Sequence, residues 1–230
     1  EQISYAYNDF ISATGGTVTT SGDYTVHTFT ALNSFLDSET TPKTVTASGN
    51  ATQSTAQSKF GGASALFDGT GDYLSLADSA DWDFGNGDFT VDFWVRFNSV
   101  AAATLVDIGG FAGGVMIEYS GGYLDAYVVG AAVGTSGSWS WTPSANTWYH
   151  IAMERDGTNL RAFIDGTQIG VTITNSANIT GTTAGVYVGY RTDGYFYFNG
   201  YLDEVRISKG IARWTSNFTP PTSAYYSTGS

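Results

Sequence analysis

The 230-residue sequence contains no cysteine, so disulfides, cysteine-ligated zinc and thiol chemistry are excluded, and cysteine usage gives no redox compartment. Basic residues are scarce as well: nine Lys and Arg stand against 21 Asp and Glu, a formal net charge of -12. Such a chain repels nucleic acid and anionic membranes and attracts divalent cations, so nucleic-acid binding is not expected. No apolar run reaches the roughly 18 residues that span a bilayer, and no basic-then-apolar leader opens the chain; neither membrane insertion nor a signal peptide is read. The first residue is Glu1 rather than Met, which reads as a processed chain or a piece of a longer one.

What the sequence has in quantity is glycine, 29 residues, with recurrent Thr, Ser and Tyr, while charged residues make up only 13%. This is the profile of a β-rich extracellular or particle-surface protein rather than a charged, helix-rich enzyme. The length suits one large all-β domain, or one domain with a short appendage, burying roughly 70% of its unfolded surface.

Residues 1–44 read as an N-terminal strand and linker segment, the end of a preceding module or an assembly arm. Polar turns at 14–16 and 21–23 surround one alternating strand, YTVHTFT (24–30), and a boundary falls near Pro42. From Val45 onward short strands are expected at about 45–47, 64–68, 73–76, 89–97, 104–108, 114–119, 123–129, 147–155, 159–165, 167–171, 185–190 and 200–208. Gly, Asn and Asp turns separate them at sandwich-like spacing. One helical turn fits 78–82, and hairpins turn at 120–122 and 156–159. Serial antiparallel meanders of this kind close as two stacked sheets, and the expected fold is a jelly-roll β-sandwich over 45–222, followed by a tail at 223–230.

Within KFGGASALFDGTGDYLSL (59–76), two β-type runs flank an acidic loop, Asp68-Gly69-Thr70-Gly71-Asp72. Calcium takes six to eight oxygens from carboxylates, carbonyls and water. Asp68, Asp72, carbonyls of the turn including Gly71, and Asp203 in GYLDEVRIS (200–208) offer such a set; the same residues also read as a plain turn and an amide cap. Calcium is preferred to zinc because neither Cys nor clustered His is available.

The phrases KFGGASALFDGTGDYLSL, GDFTVDFWVRF (87–97), TWYHIAMERDG (147–157), NLRAFIDGTQI (159–169) and GYLDEVRIS resemble the laminin-G-like domains of the concanavalin A-like lectin/glucanase superfamily. The likeness is to those of phage and bacterial surface proteins, and the tail ARWTSNFTPPTSAY (212–225) looks like the usual exit of such domains. The resemblance implies a jelly roll with a convex and a concave sheet, often one structural calcium, and a binding role. GGTVTTSGDYTVHTFT (15–30) is similar to segments preceding such domains in phage tail-fibre and adhesin-like proteins.

Period-two alternation sorts the central strands into two faces. In FTVDFWVRF (89–97), Phe89, Val91, Phe93, Val95 and Phe97 point into the core, leaving Asp92, Trp94 and Arg96 outward. His150 and Glu154, then Arg161 and Phe163, then Glu204 and Arg206, share that outer face. Aromatics, acids and the rare basic residues together suit sugar binding by stacking and hydrogen bonding; they also suit a cross-strand ion-pair ladder. A second candidate surface is the set of aromatic loops carrying Tyr119, Tyr123, Trp139, Trp141, Tyr190, Tyr195 and Tyr197.

Glycoside hydrolysis needs two carboxyl groups about 5–9.5 Å apart. No Glu-x-Asp-x-(x)-Glu string is present, and Asp203-Glu204 is expected to face opposite ways; with two His residues, no Ser-His-Asp setting is found either. The expected function is therefore a non-catalytic, lectin-like domain on an extracellular or virion surface, binding a glycan or cell-surface polymer. The alternative is a structural module making protein contacts with other subunits of a particle or fibre, through an unpaired strand such as 24–30.

Overall fold

The computed structural model describes residues 17–21, 24–29, 35–36, 42–110, 113–128, 131–132, 138–180 and 183–225. The turn residues 14–16 and 22–23, Thr30, Val129 and the last five residues of the tail lie outside it. In chain order the strands are β1 (Thr17–Ser21), β2 (Tyr24–Phe29), β3 (Phe35–Leu36), β4 (Pro42–Lys43), β5 (Thr46–Ser48), β6 (Thr52–Ser54), β7 (Ser64–Asp68), β8 (Tyr73–Leu76), β9 (Phe89–Phe97) and β10 (Ala103–Ile108). They continue as β11 (Val115–Ser120), β12 (Tyr123–Val128), β13 (Ala131–Ala132), β14 (Ser138–Ser140), β15 (Trp148–Asp156), β16 (Asn159–Ile164), β17 (Thr167–Thr174), β18 (Val186–Val188) and β19 (Asn199–Lys209).

Two sheets stack as an antiparallel jelly-roll sandwich. The first runs β1-β2-β19-β9-β15-β16-β17, with β7 and then β6 on the β2 side of β19; the second runs β13-β12-β11-β10-β18-β8-β5, with β14 beside β12. The expected helical turn is a 3-10 turn at Ala80–Trp82, capped by the Ser79 side chain on the Asp81 amide.

Alternation decides what fills the gap between the sheets. Phe89, Val91, Phe93, Val95 and Phe97 of β9 are fully buried and meet Leu105 and Ile108 of β10, Val115 and Ile117 of β11, and Val186 and Val188 of β18 in one core. Each such side chain contributes on the order of 2 kcal/mol of apolar transfer. Arg155 also sits at the core edge: fully buried, its guanidinium donates to the carbonyls of Gly85, Gly87 and Ala177 at 2.6 to 3.0 Å. It fastens the break that follows the helical turn.

β19 changes edge partner part-way. Its residues 199–202 pair with β7 and its residues 205–209 with β2, and between them the register against β9 shifts, Asp203 facing Trp94 and Arg206 facing Asp92. Glu204 is the extra residue, held at φ 52°, so a β-bulge interrupts the alternation. Strand 24–29 thus belongs to the sandwich's own first sheet, which does not begin at Val45.

Candidate functional site

The first sheet's outer face carries the residues expected there, but it is not open. At one end the 59–60 loop covers Trp94: Lys59 Nζ lies 3.8 Å from the indole centroid and Phe60 meets it edge-on at 5.9 Å. Over the rest lies the segment 211–225. Its Trp214 and Phe218 rings stack at 4.0 Å and pack edge-on against His150, while Phe218 also meets Phe163. The strap is anchored at the turn after β16, where the Phe218 amide donates to Gly166 O at 2.9 Å and Asn217 Oδ1 accepts from the Gln168 amide at 2.8 Å.

Beneath the strap is a buried polar network. Arg206 forks onto both oxygens of Asp92 at 2.8 Å. Tyr225 Oη donates to Asp92 Oδ2 at 2.6 Å and accepts from His150 Nε2 at 2.8 Å; that direction assigns the ring proton to Nε2. Burial pushes the Asp92 carboxyl up, but Arg206 and His150 outweigh it and hold it well below the usual carboxylate range. Burial raises Glu154 and Glu204 each to about 7, although Arg161 bonds Glu154 at 2.7 Å and the Tyr225 amide donates to Glu204.

Asp92, Trp94, His150, Glu154, Phe163 and Glu204 are therefore covered by the chain itself, and the expected ligand face is corrected to a sealed one. Arg96 and Arg161 stay partly exposed, and Arg206 borders the strap. Asp203 and Glu204, expected on opposite faces, both meet the segments roofing the outer side, because Glu204 is the extra residue of the bulge and the alternation breaks there.

The proposed calcium ligands are separated too. Asp68 faces Asn199 across the β7–β19 pair, four residues along β19 from Asp203, roughly 13 Å away. Asp203 accepts from the amides of Lys59, Phe60 and Glu204 at 2.7 to 3.2 Å and so anchors the roofing loop. Asp72 is buried and accepts from the amides of Asn50 and Asp68, while Asp68 caps Thr70 at 2.7 Å. Gly49 approaches so closely that a Cβ there would lie 2.4 Å from Asp72 Oδ1. Asp68, Asp72 and the Gly71 turn do not fit one ion together with Asp203, and among the described residues no group of three or more Asp, Glu or His is placed to hold a metal.

The aromatic loops divide as well. Tyr119 lies on β11, buried against Phe97 and Trp141, and Trp139 is buried against the backbone of Gly170. Tyr123 and Tyr195 are 46% and 62% exposed. Tyr190 and Tyr197 stack at 4.8 Å, and Tyr190 stacks on Tyr73 at 4.7 Å, with Tyr187 beside them.

That stack borders a site which the reading of the sequence passed over, the outer face of the second sheet. Register places Ser75, Tyr187, Asp107, Met116 and Tyr127 in one row across five strands, with Thr104, Glu118 and Asp125 in the next. Asp107 accepts from the Thr192 amide and hydroxyl at 3.1 and 3.0 Å. Glu118 lies 3.5 Å from Arg191 and 3.4 Å from Thr104 Oγ1. Burial raises both carboxyls; Thr192 and Arg191 respectively oppose the rise, and Asp125 adds to it at Glu118. These acids are themselves buried, Asp107 at 0%, Glu118 at 3% and Asp125 at 7% exposure, and what the face presents to solvent is the partly exposed tyrosines and Arg191 beside them, whose guanidinium is 4.7 Å from the Phe196 ring and 5.8 Å from that of Tyr195. The signal was available: Glu118, Asp125 and Tyr127 all occupy core-opposed positions of their strands.

Recessed carboxylates accept hydrogen bonds from hydroxyl groups, and tyrosine rings give flat apolar contact at low entropic cost, a combination suited to polyhydroxylated ligands. Among the described residues no helix is long and apolar enough to cross a membrane.

Known structures share this architecture. Domain 4 of AbnA, a GH43 extracellular arabinanase from Geobacillus stearothermophilus, solved with arabinotriose, superposes with a TM-score of 0.59 at 19% identity, covering 85% of this chain and 94% of that one. The binding domain of Paraclostridial Mosquitocidal Protein 1 gives 0.59 at 15% identity, covering 81% and 49%. That of Botulinum Neurotoxin DC, in complex with SialylT, gives 0.54 at 11% identity, covering 81% and 48%. The chain thus spans about half the length of these toxin domains. No curated protein sequence matches it. The laminin G model described as the concanavalin A-like lectin/glucanases superfamily matches residues 68–213, and the chain belongs to that superfamily.

Proposed function

We propose that this chain is a non-catalytic glycan-binding domain, displayed outside the cell or on a virion surface, whose working face is the outer side of the second sheet. The observation that carries the reading is the partly exposed cluster of Tyr73, Tyr187, Tyr190 and Tyr197, bordering two rows of recessed acids, Asp107 in one and Glu118 and Asp125 in the next. Membership of the lectin/glucanases superfamily and likeness to structures solved with arabinotriose and SialylT support its glycan-binding part. Hydrolysis is disfavoured because Thr192 holds Asp107 while Arg191 and Thr104 engage Glu118. An acidic floor repels anions, so neutral saccharides are the expected ligands.

The test is retention on immobilised neutral glycans, arabinotriose among them, of the native chain and of Tyr187→Ala and Tyr190→Ala. Loss of about tenfold or more in affinity by the folded variants is expected; retention of no neutral glycan, or equal retention of the variants, overturns the proposal. Release of reducing sugar from these ligands would overturn its non-catalytic part.

A second reading, assembly with other subunits, draws on β1, which ends the first sheet among the described residues and presents an edge to a neighbouring strand. Concentration-dependent association lost on removal of residues 17–21 would favour it. We propose in addition that calcium binds at Asp68 and the turn carbonyls, checked by the change in melting temperature between EDTA and added calcium.

A further inference from the structure

Between β19 and the strap lies an open cavity of about 430 Å³, walled by Arg206, Arg213, Trp214, Thr222, Ser223 and Tyr225 among others. Two of the nine basic residues of a chain with net charge -12 converge on it, and they differ in one respect. Arg206 is satisfied, forked onto Asp92 at 2.8 Å with the Tyr225 ring 3.8 Å from its guanidinium. Among the described residues Arg213 touches no carboxylate: its Nε donates to Ser208 Oγ at 2.9 Å and its amide to Thr90 Oγ1 at 3.0 Å, while its two terminal amino groups have no protein acceptor. Burial and the like charge of Arg206 hold the Arg213 guanidinium below its ordinary value, at about 10, and the nearby Asp92, already forked by Arg206, offsets this only in part; it is charged at neutral pH.

A half-buried guanidinium on a cavity wall, repelled by its neighbour, is relieved by an oxyanion that its planar fork can grip. The remaining wall specifies more than a bare ion. Trp214 and Tyr225 offer apolar ring surface, Thr222 and Ser223 offer hydroxyls, and the volume suits a small molecule or a single sugar residue. We propose that the strap cavity binds one carboxylate-bearing sugar residue of the uronate type, with Arg213 as its principal ligand. The site is separate from the second-sheet face and of opposite preference, since that face is acidic and this wall is cationic.

The test is titration of the full chain with glucuronate, glucose and inorganic phosphate, followed by the Arg213 Nε–H resonance and by the melting temperature. Glucuronate is expected to shift both, glucose neither, and phosphate to bind more weakly than glucuronate. Arg213→Gln should weaken glucuronate binding roughly tenfold to hundredfold, as loss of a charged hydrogen-bonding partner does, and Arg213→Lys by less. Should Arg213→Gln fail to fold, the lysine variant and the three-ligand comparison on the native chain still decide. Glucose or phosphate binding as well as glucuronate, absence of glucuronate binding, or undiminished binding by a folded Arg213→Gln protein would overturn the proposal. Because neutral glycans are assigned to the other face, failure here leaves the Tyr187→Ala result unaffected.

Discussion

Replacing Tyr225 by Phe removes one hydroxyl and leaves the ring beside Arg206. That hydroxyl donates to the buried, ionised Asp92 at 2.6 Å and accepts from His150 at 2.8 Å. A hydrogen bond to a charged group contributes about 1.5–3 kcal/mol. Asp92 keeps both bonds to Arg206 and a 3.3 Å contact with His150, which places the expected loss near the middle of that range, about 2 kcal/mol. For a chain of this size each kcal/mol shifts the melting temperature by roughly 2–4 °C, so Tyr225→Phe should melt about 4–8 °C lower. Urea denaturation should give a lower midpoint at an unchanged slope, since the surface exposed on unfolding is the same. Tyr225→Leu, which also removes the ring from Arg206, should cost more. A loss under about 0.5 kcal/mol for Tyr225→Phe would mean that the strap is not held through this network.

Glu154 and Glu204, raised from 4.5 to about 7, hold protons in the folded chain where the unfolded chain has released them. The folded state therefore binds more protons between about pH 4.5 and 7, and these groups make stability fall as pH rises through that window. Asp92, held low, acts oppositely and withdraws stability as the solution is acidified below its ordinary 3.8. Denaturation midpoints measured from pH 3 to 8 should accordingly peak near pH 4–5 and flatten on the alkaline side in Glu204→Gln. Asp203→Ala frees three backbone amides of their acceptor and should cost about 2–4 kcal/mol in urea denaturation, with hydrogen exchange rising first at Lys59 and Phe60. Gly166→Ala should lift the strap, since φ is +75° and the added Cβ would lie 1.9 Å from Phe218 O; increased quenching of Trp214 fluorescence by acrylamide reports it.

How much of this was legible varies with the range of the interaction. Alternation in 89–97 and 148–156 assigns the core and outer sides of β9 and β15 correctly, because adjacent residues of a paired strand must face opposite ways. Outward, however, does not mean exposed. Whether Trp94 or His150 meets solvent depends on segments some 35 residues before and 60 after them docking across the sheet, and no local pattern encodes that. The bulge at Glu204 was invisible for a related reason: it arises where β19 passes from β7 to β2, a matter of pairing rather than composition. The separation of Asp203 from Asp68 has a different cause, the register that sets Asp68 opposite Asn199, and it too is a matter of pairing. Tyr119 and the second-sheet row differ, since parity within 115–120 and 123–128 puts Tyr119 with Ile117 in the core and Glu118, Asp125 and Tyr127 outside. Those assignments were within reach of the sequence.

The most direct measurement of the central claim is hydroxyl-radical footprinting of the full chain with and without the neutral oligosaccharide it retains best. The account predicts protection of Tyr187 on β18 and of Tyr190 and Tyr195 in the loop that follows it, with oxidation of Trp94 and Trp214 unchanged. Protection of Trp94 or Trp214 with none at the tyrosines would contradict it, returning function to the face that the strap covers.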